Sequence, residues 1–254
     1  MEQSAYFDAV DRAYAQPDTV ERTLRALVEQ SGAEYGENSP FHAAMLSELG
    51  GYLRGAGRFP QSEGCFARAV DILKRALGEH HPDYATALNN LAGTHRVMGR
   101  REEAAAEFSR CLRLYGETLG TDHVLYAACL NNLSLIALDE GDTGRAAELM
   151  SAASQVLERH PECRGEYATA LANLGGLYLR LERYAAAEQV LRQAAAIYET
   201  ELGTQTPHYY MILNSLGIAR LKQGDAPGAA ELFRRAADEV KAMFGTQHPE
   251  YQKL

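Results

Sequence analysis

Gly78-Glu-His-His-Pro-Asp-Tyr-Ala-Thr-Ala-Leu-Asn-Asn-Leu91 reads as a loop running into the first turns of a helix, and the chain repeats it. Its last four residues, Leu88-Asn-Asn-Leu91, recur as Leu46-Ser-Glu-Leu49, Leu130-Asn-Asn-Leu133, Leu171-Ala-Asn-Leu174 and Leu213-Asn-Ser-Leu216, at steps of 42, 42, 41 and 42 residues. Tyr84 belongs to a second series with Tyr126, Tyr167, Tyr209 and Tyr251. Gly78 belongs to a third with Gly36, Gly120, Gly203 and Gly245, which skips only the shortened repeat. Three residue types agreeing in register imply stacked copies of one supersecondary unit.

Each unit reads as two helices. From Tyr84 to about Met98 apolar residues recur without a proline, and Gly99 supplies the left-handed residue that ends a helix cheaply. From Glu102 to about Leu119, Ala105, Phe108, Cys111, Leu112 and Tyr115 fall at three- and four-residue spacings, opposite Arg and Glu. Four linkers carry a proline (Pro40, Pro82, Pro207, Pro249), which drives its predecessor out of the helical region and starts the next unit. Carried back to the N-terminus, the phase predicts a helix near Ser4 to Ala15 and a second from Asp18, read as its N-cap, to Tyr35. The expected fold is all-α: an α-α superhelix forming one domain over residues 1–254, with hairpins at about 1–36, 41–78, 83–120, 125–161, 166–203 and 208–245 and a stub at 246–254.

Inside the unit, Leu174-Gly175, Tyr178, Ala187, Leu191 and Ala194 resemble the tetratricopeptide repeat (TPR), as do Leu216-Gly217, Ala229, Phe233 and Ala236. With its 42-residue period, the pattern is similar to the kinesin-light-chain type of that repeat over nearly the whole chain. The resemblance implies a right-handed array of hairpins that holds a protein or an extended peptide in a groove lined by the first helix of each pair. It also implies that asparagines on those helices bind the peptide backbone. Arrays that clamp a C-terminal carboxylate place a lysine where this chain has Thr86, Ala128 and Thr169, so that variant is disfavoured.

Composition narrows the function. Hydrophobic residues make up 46% and charged residues 23%, which suits a packed protein rather than a disordered one. Lys+Arg 25 against Asp+Glu 34 leaves a net charge of −9, which repels nucleic acid. The N-terminus lacks the basic and apolar regions of a signal peptide and no stretch is apolar enough for a membrane span, so a cytoplasmic protein is expected. Cys65, Cys111, Cys129 and Cys163 occur singly, without CxxC spacing. HExxH, GxSxG, a P-loop and GxGxxG are absent, so the expectation is a non-enzyme with no metal or cofactor.

The first helices are the informative surface. Tyr84 to Thr94, Tyr126 to Leu138, Tyr167 to Leu179 and Tyr209 to Ala219 contain no charged residue, yet they hold Asn89, Asn90, Asn131, Asn132, Asn173 and Asn214. Asparagine is a poor mid-helix residue, so these amides should be compensated, by a bound peptide backbone or by bonds between adjacent repeats. Asn90, Asn132 and Asn173 share a phase, and Gly51, Gly93 and Gly176 would leave room for a ligand. Arg54, Arg96, Arg180 and Lys222, near the ends of these helices, either fix an acidic ligand group or complement the helix dipole. The recurring tyrosines are expected to pack against the preceding helix, and His80, His81, His123 and His248 to cap or pack loops rather than converge on a metal. Leu232, Phe233, Ala236, Val240 and Met243 form an apolar strip on the last helix, which would either pair two copies as a homodimer or be covered by the stub or a longer array. Two functions follow: a peptide-binding scaffold, or a regulatory module that self-associates or controls a partner enzyme.

Overall fold

The computed structural model describes residues 2–245. Among them the chain forms twelve α-helices and no strand, paired into six hairpins. Clustering of contacts separates two compact units, Met1–Thr121 and Asp122–Leu254.

The first unit holds α1 (Gln3–Tyr14), α2 (Val20–Tyr35), α3 (Pro40–Gly55), α4 (Phe59–Leu77), α5 (Pro82–Val97) and α6 (Arg101–Thr118). Each even-numbered helix packs on the helix before it, and α2 and α4 also pack on the helix after. The second helix begins slightly later than the sequence suggests. Asp18 lies in the turn, and Thr19 precedes α2 without a side-chain cap bond. Tyr6, Phe41 and Tyr35 meet edge to face or tilted around Leu24, Met45 and Leu53, which closes the core at this end.

The second unit holds α7 (Val124–Asp139), α8 (Thr143–Leu157), α9 (Arg164–Arg180), α10 (Tyr184–Ile197), α11 (Pro207–Lys222) and α12 (Ala226–Phe244). A 3₁₀ turn, Pro161–Cys163, leads into α9, and a π-helical turn, Tyr198–Leu202, ends the fourth of these helices.

Small residues on the first helix of a hairpin face large ones on the second, and that pairing sets the crossing. Gly50, Ala92, Ser134, Gly175 and Gly217 share one register, and Phe66, Phe108, Met150, Leu191 and Phe233 share the other. A Cβ on Gly217 would stand 2.5 Å from Phe233. One turn earlier on the second helices, Ser62, Ala104, Ala146, Ala187 and Ala229 are fully buried. Two crossings also carry a polar lock: Ser62 Oγ donates to the Gly50 carbonyl and Ser134 Oγ to that of Ala146, each at 2.8 Å.

Linker chemistry matches the repeat. Ser39, His81, His123 and Thr206 cap α3, α5, α7 and α11 by accepting a backbone N–H, the two histidines through Nδ1 at 3.1 Å. The histidines therefore act as the loop caps the sequence suggested. Gly57, Gly99, Gly141 and Gly224 close the turn inside a hairpin at positive φ, but the fifth hairpin has Glu182 there, at φ 58°. Tyr84, Tyr167 and Tyr209 are buried at the start of their helices, and His42 takes the same phase in the second hairpin. The Tyr209 hydroxyl donates to Glu199 on the preceding helical segment at 2.5 Å. Burial, then that carboxylate, pushes its ionisation up to about 12.

Candidate functional site

In the first unit the asparagine-bearing face lies between α3 and α5. A cavity of about 300 Å³ there is lined by Ser47, Glu48, Thr86 and Asn90, with Leu73 and Asp83. The Asn90 side-chain amide makes no hydrogen bond among the described residues, whereas Asn89 has a partner. Arg54 does not face a ligand here. Its Nη1 donates to the Asn90 carbonyl at 3.0 Å, and its guanidinium lies 5.5 Å from the Phe66 ring centre. The room expected at Gly93 is occupied by this arginine, since a Cβ there would stand 2.7 Å from Arg54 Nη1. Arg96 is also partnered. Glu48 occupies the Asn90 phase one repeat earlier. Burial, then the nearby Asp11, raises its carboxyl above the ordinary range.

The second unit presents α7, α9 and α11. Between α7 and α9 a cavity of about 650 Å³ opens, with Asn131 and Asn132 on one wall and Thr169 and Glu166 on the other. Asn132 has a partner, while the amides of Asn131, Asn173 and Asn214 make no hydrogen bond among the described residues. Asn173 is exposed and Asn131 and Asn214 half-buried. Gly176 borders open space. Arg180 and Lys222 are exposed and make no ion pair among the described residues. On α11 the same face turns apolar, with Met211 57% and Leu221 50% exposed and Ile218 beside them.

Sequence reading missed four contributors to this surface: Glu48, Glu166, Tyr198 and His208. Glu48 was legible by stepping 42 residues back from Asn90, and Glu166 by stepping 83 on from Asp83. Tyr198 and His208, whose rings stack at 6.3 Å between centres, meet only through the fold. It also missed His95, a buried imidazole on α5 whose Nδ1 lies 2.8 Å from Glu107 and Nε2 3.3 Å from Glu63. Arg100 holds the Glu63 carboxyl below its usual range, and burial raises that of Glu107.

The strip on α12 is turned largely inward. Ala236 and Val240 are fully buried and Phe233 fills the space over Gly217, while Leu232 and Met243 are half-buried. The stub, with His248, Pro249 and Tyr251, lies outside the described residues. Among the described residues no three His, Cys, Asp or Glu side chains converge as a metal site, and no helix is long and apolar enough to cross a membrane.

Stacked helical hairpins that bear amides on their first helices define an α-α solenoid. The tetratricopeptide repeat model matches residues 41–116, 85–159 and 165–250, and the chain belongs to that family. Solved structures agree in fold. BtubC (BKLC) from P. vanneervenii is 21% identical with a TM-score of 0.70, covering 97% of this chain and 92% of its own. A point variant of nearly identical TPR-like repeats of kinesin-light-chain type from Podosopora anserina is 19% identical with a TM-score of 0.67, covering 80% and 96%. The quorum sensor NprR from B. thuringiensis, in its apo form, is 12% identical with a TM-score of 0.68, covering 98% and 67%. No curated protein sequence matches the chain.

Proposed function

We propose that this protein is a non-enzymatic interaction scaffold that holds an extended peptide segment of a partner on the asparagine-bearing faces of its A helices, the first helix of each hairpin. The observation that carries this reading is the set of unbonded carboxamides of Asn90, Asn131, Asn173 and Asn214, each half-buried or exposed, within stretches of the A helices that hold no charged residue. Each offers a donor and an acceptor, the complement of a peptide group. Arg180 and Lys222 remain open to the ligand, whereas Arg54 serves the array itself. The same fold serves a quorum sensor in NprR.

The test replaces Asn131 and Asn173 by alanine and follows binding of a library-selected peptide by titration calorimetry. Each lost hydrogen bond weakens binding by about 0.5–1.5 kcal/mol, with little change in melting temperature. A large fall in melting temperature with unaltered affinity would assign the amides to the array instead.

A further inference from the structure

The cavity between α7 and α9 has a chemistry of its own. Its floor is apolar, with Leu157, Tyr198, Ala127 and Ala170 all buried. Asn131 and Thr169 stand at its rim with His208, which stacks on Tyr198. Of the fourteen lining residues Glu166 alone carries a formal charge with His neutral; it is exposed and has no ion-pair partner among the described residues. Cys163 supplies neutral wall rather than a nucleophile, because burial, then Glu166 and Glu162, hold its thiol above the ordinary value.

The irregular repeat accounts for the opening. Helix α8 stops early at Leu157, six residues that include the 3₁₀ turn then lead to α9 where other linkers have four or five, and Gly165 stands where other repeats have Pro40, Pro82 and Pro207. A Cβ on Gly165 would meet nothing within 4 Å. The corresponding cavity between α3 and α5 is about 300 Å³, against about 650 Å³ here.

We propose that this cavity seats a large apolar side chain of the partner's extended segment, with a neighbouring lysine or arginine of that segment paired to Glu166. The proposal rests on the peptide-scaffold reading above and names the chemistry of its ligand. An aromatic or long aliphatic side chain fills a pocket of this size and apolarity, removing its own surface from water against the floor of Tyr198 and Leu157. Charge selects the flank. The net charge of −9 draws a basic segment toward the chain, and an acidic flank would set two carboxylates face to face at the rim.

The test is selection of a phage-displayed random dodecapeptide library on the full chain, followed by binding of the enriched peptides to variants. The expected result is enrichment of a large apolar residue beside Lys or Arg. Gly165→Leu, which fills the cavity, should weaken these peptides by at least about tenfold, and so should Ala128→Leu on the opposite wall. Glu166→Lys should reverse the flank preference toward Asp and Glu. Enriched peptides that lack the apolar and basic pair, or that bind Gly165→Leu undiminished, overturn the inference. If such peptides still respond to Asn131→Ala and Asn173→Ala, the scaffold reading survives this loss; enrichment of no peptide at all removes both.

Discussion

A Cβ on Gly175 would stand 2.4 Å from Cγ of Leu191, the branching carbon and not a movable tip. Two effects oppose each other when this glycine becomes alanine. Helix propensity favours alanine by about 1 kcal/mol, while forcing a methyl into a packed crossing costs about 1–3 kcal/mol. Packing wins, so Gly175→Ala should lower the urea midpoint; a rise would mean that the two helices can separate without loss. Glu182 offers the opposite case. It sits at φ 58° in the turn where four other hairpins have glycine, and an L-residue in that region carries a strain of about 1–2 kcal/mol. Glu182→Gly should therefore raise the midpoint by an amount approaching that figure, measured in the same titration.

The linker between α8 and α9 carries its own titration. His160 Nε2 lies 2.7 Å from the Asp122 carbonyl oxygen and Nδ1 3.0 Å from a Glu162 carboxylate oxygen. Both partners accept, so both ring nitrogens donate, which is the charged imidazolium. The Asp122 carbonyl first and Glu162 second raise its pKa above the ordinary 6.5. A raised folded value means that the folded state holds the proton more tightly than the unfolded chain. The stabilisation is complete below about pH 6.5 and is lost as pH rises through the folded value. Melting temperature should fall slightly above neutrality in the native chain, and His160→Ala should flatten that slope; an equal slope in both would assign it to other groups. How much of this was legible follows from locality. The leucine blocks, the tyrosines and the linker glycines were readable because each copy repeats the same packing, and His81 and His123 because a cap acts within two residues. The inward turn of Arg54 onto the Asn90 carbonyl and the Tyr198 and His208 stack depend on how neighbouring helices meet, which no period in the sequence encodes.

At the scale of the whole molecule, the distribution of charge matters more than its sum. Many of the arginines are already spent on carboxylates within and between hairpins. Arg100 pairs with Glu63 and Glu103, Arg110 with Glu79, Arg159 with Asp122, Arg164 with Glu201, Arg220 with Glu188 and Asp225, and Arg235 with Glu199. Each such exposed pair is worth little to stability, but it removes a cation from any surface that could follow a phosphate chain. What remains in excess is acid, 34 against 25, with Glu48 and Glu166 standing unpaired on the asparagine-bearing faces. A nucleic acid would have to break ion pairs to find donors and would gain few released counterions in return. Filter binding of labelled single-stranded RNA in about 50 mM salt, where such attraction is strongest, should therefore retain none above background. A basic peptide under the same conditions should bind more tightly than in about 200 mM salt, because its charge is opposite to that of the faces it meets. Retention of the RNA that falls steeply with added salt would show that the paired arginines are released to it, and the assignment of these faces to a peptide would then fail.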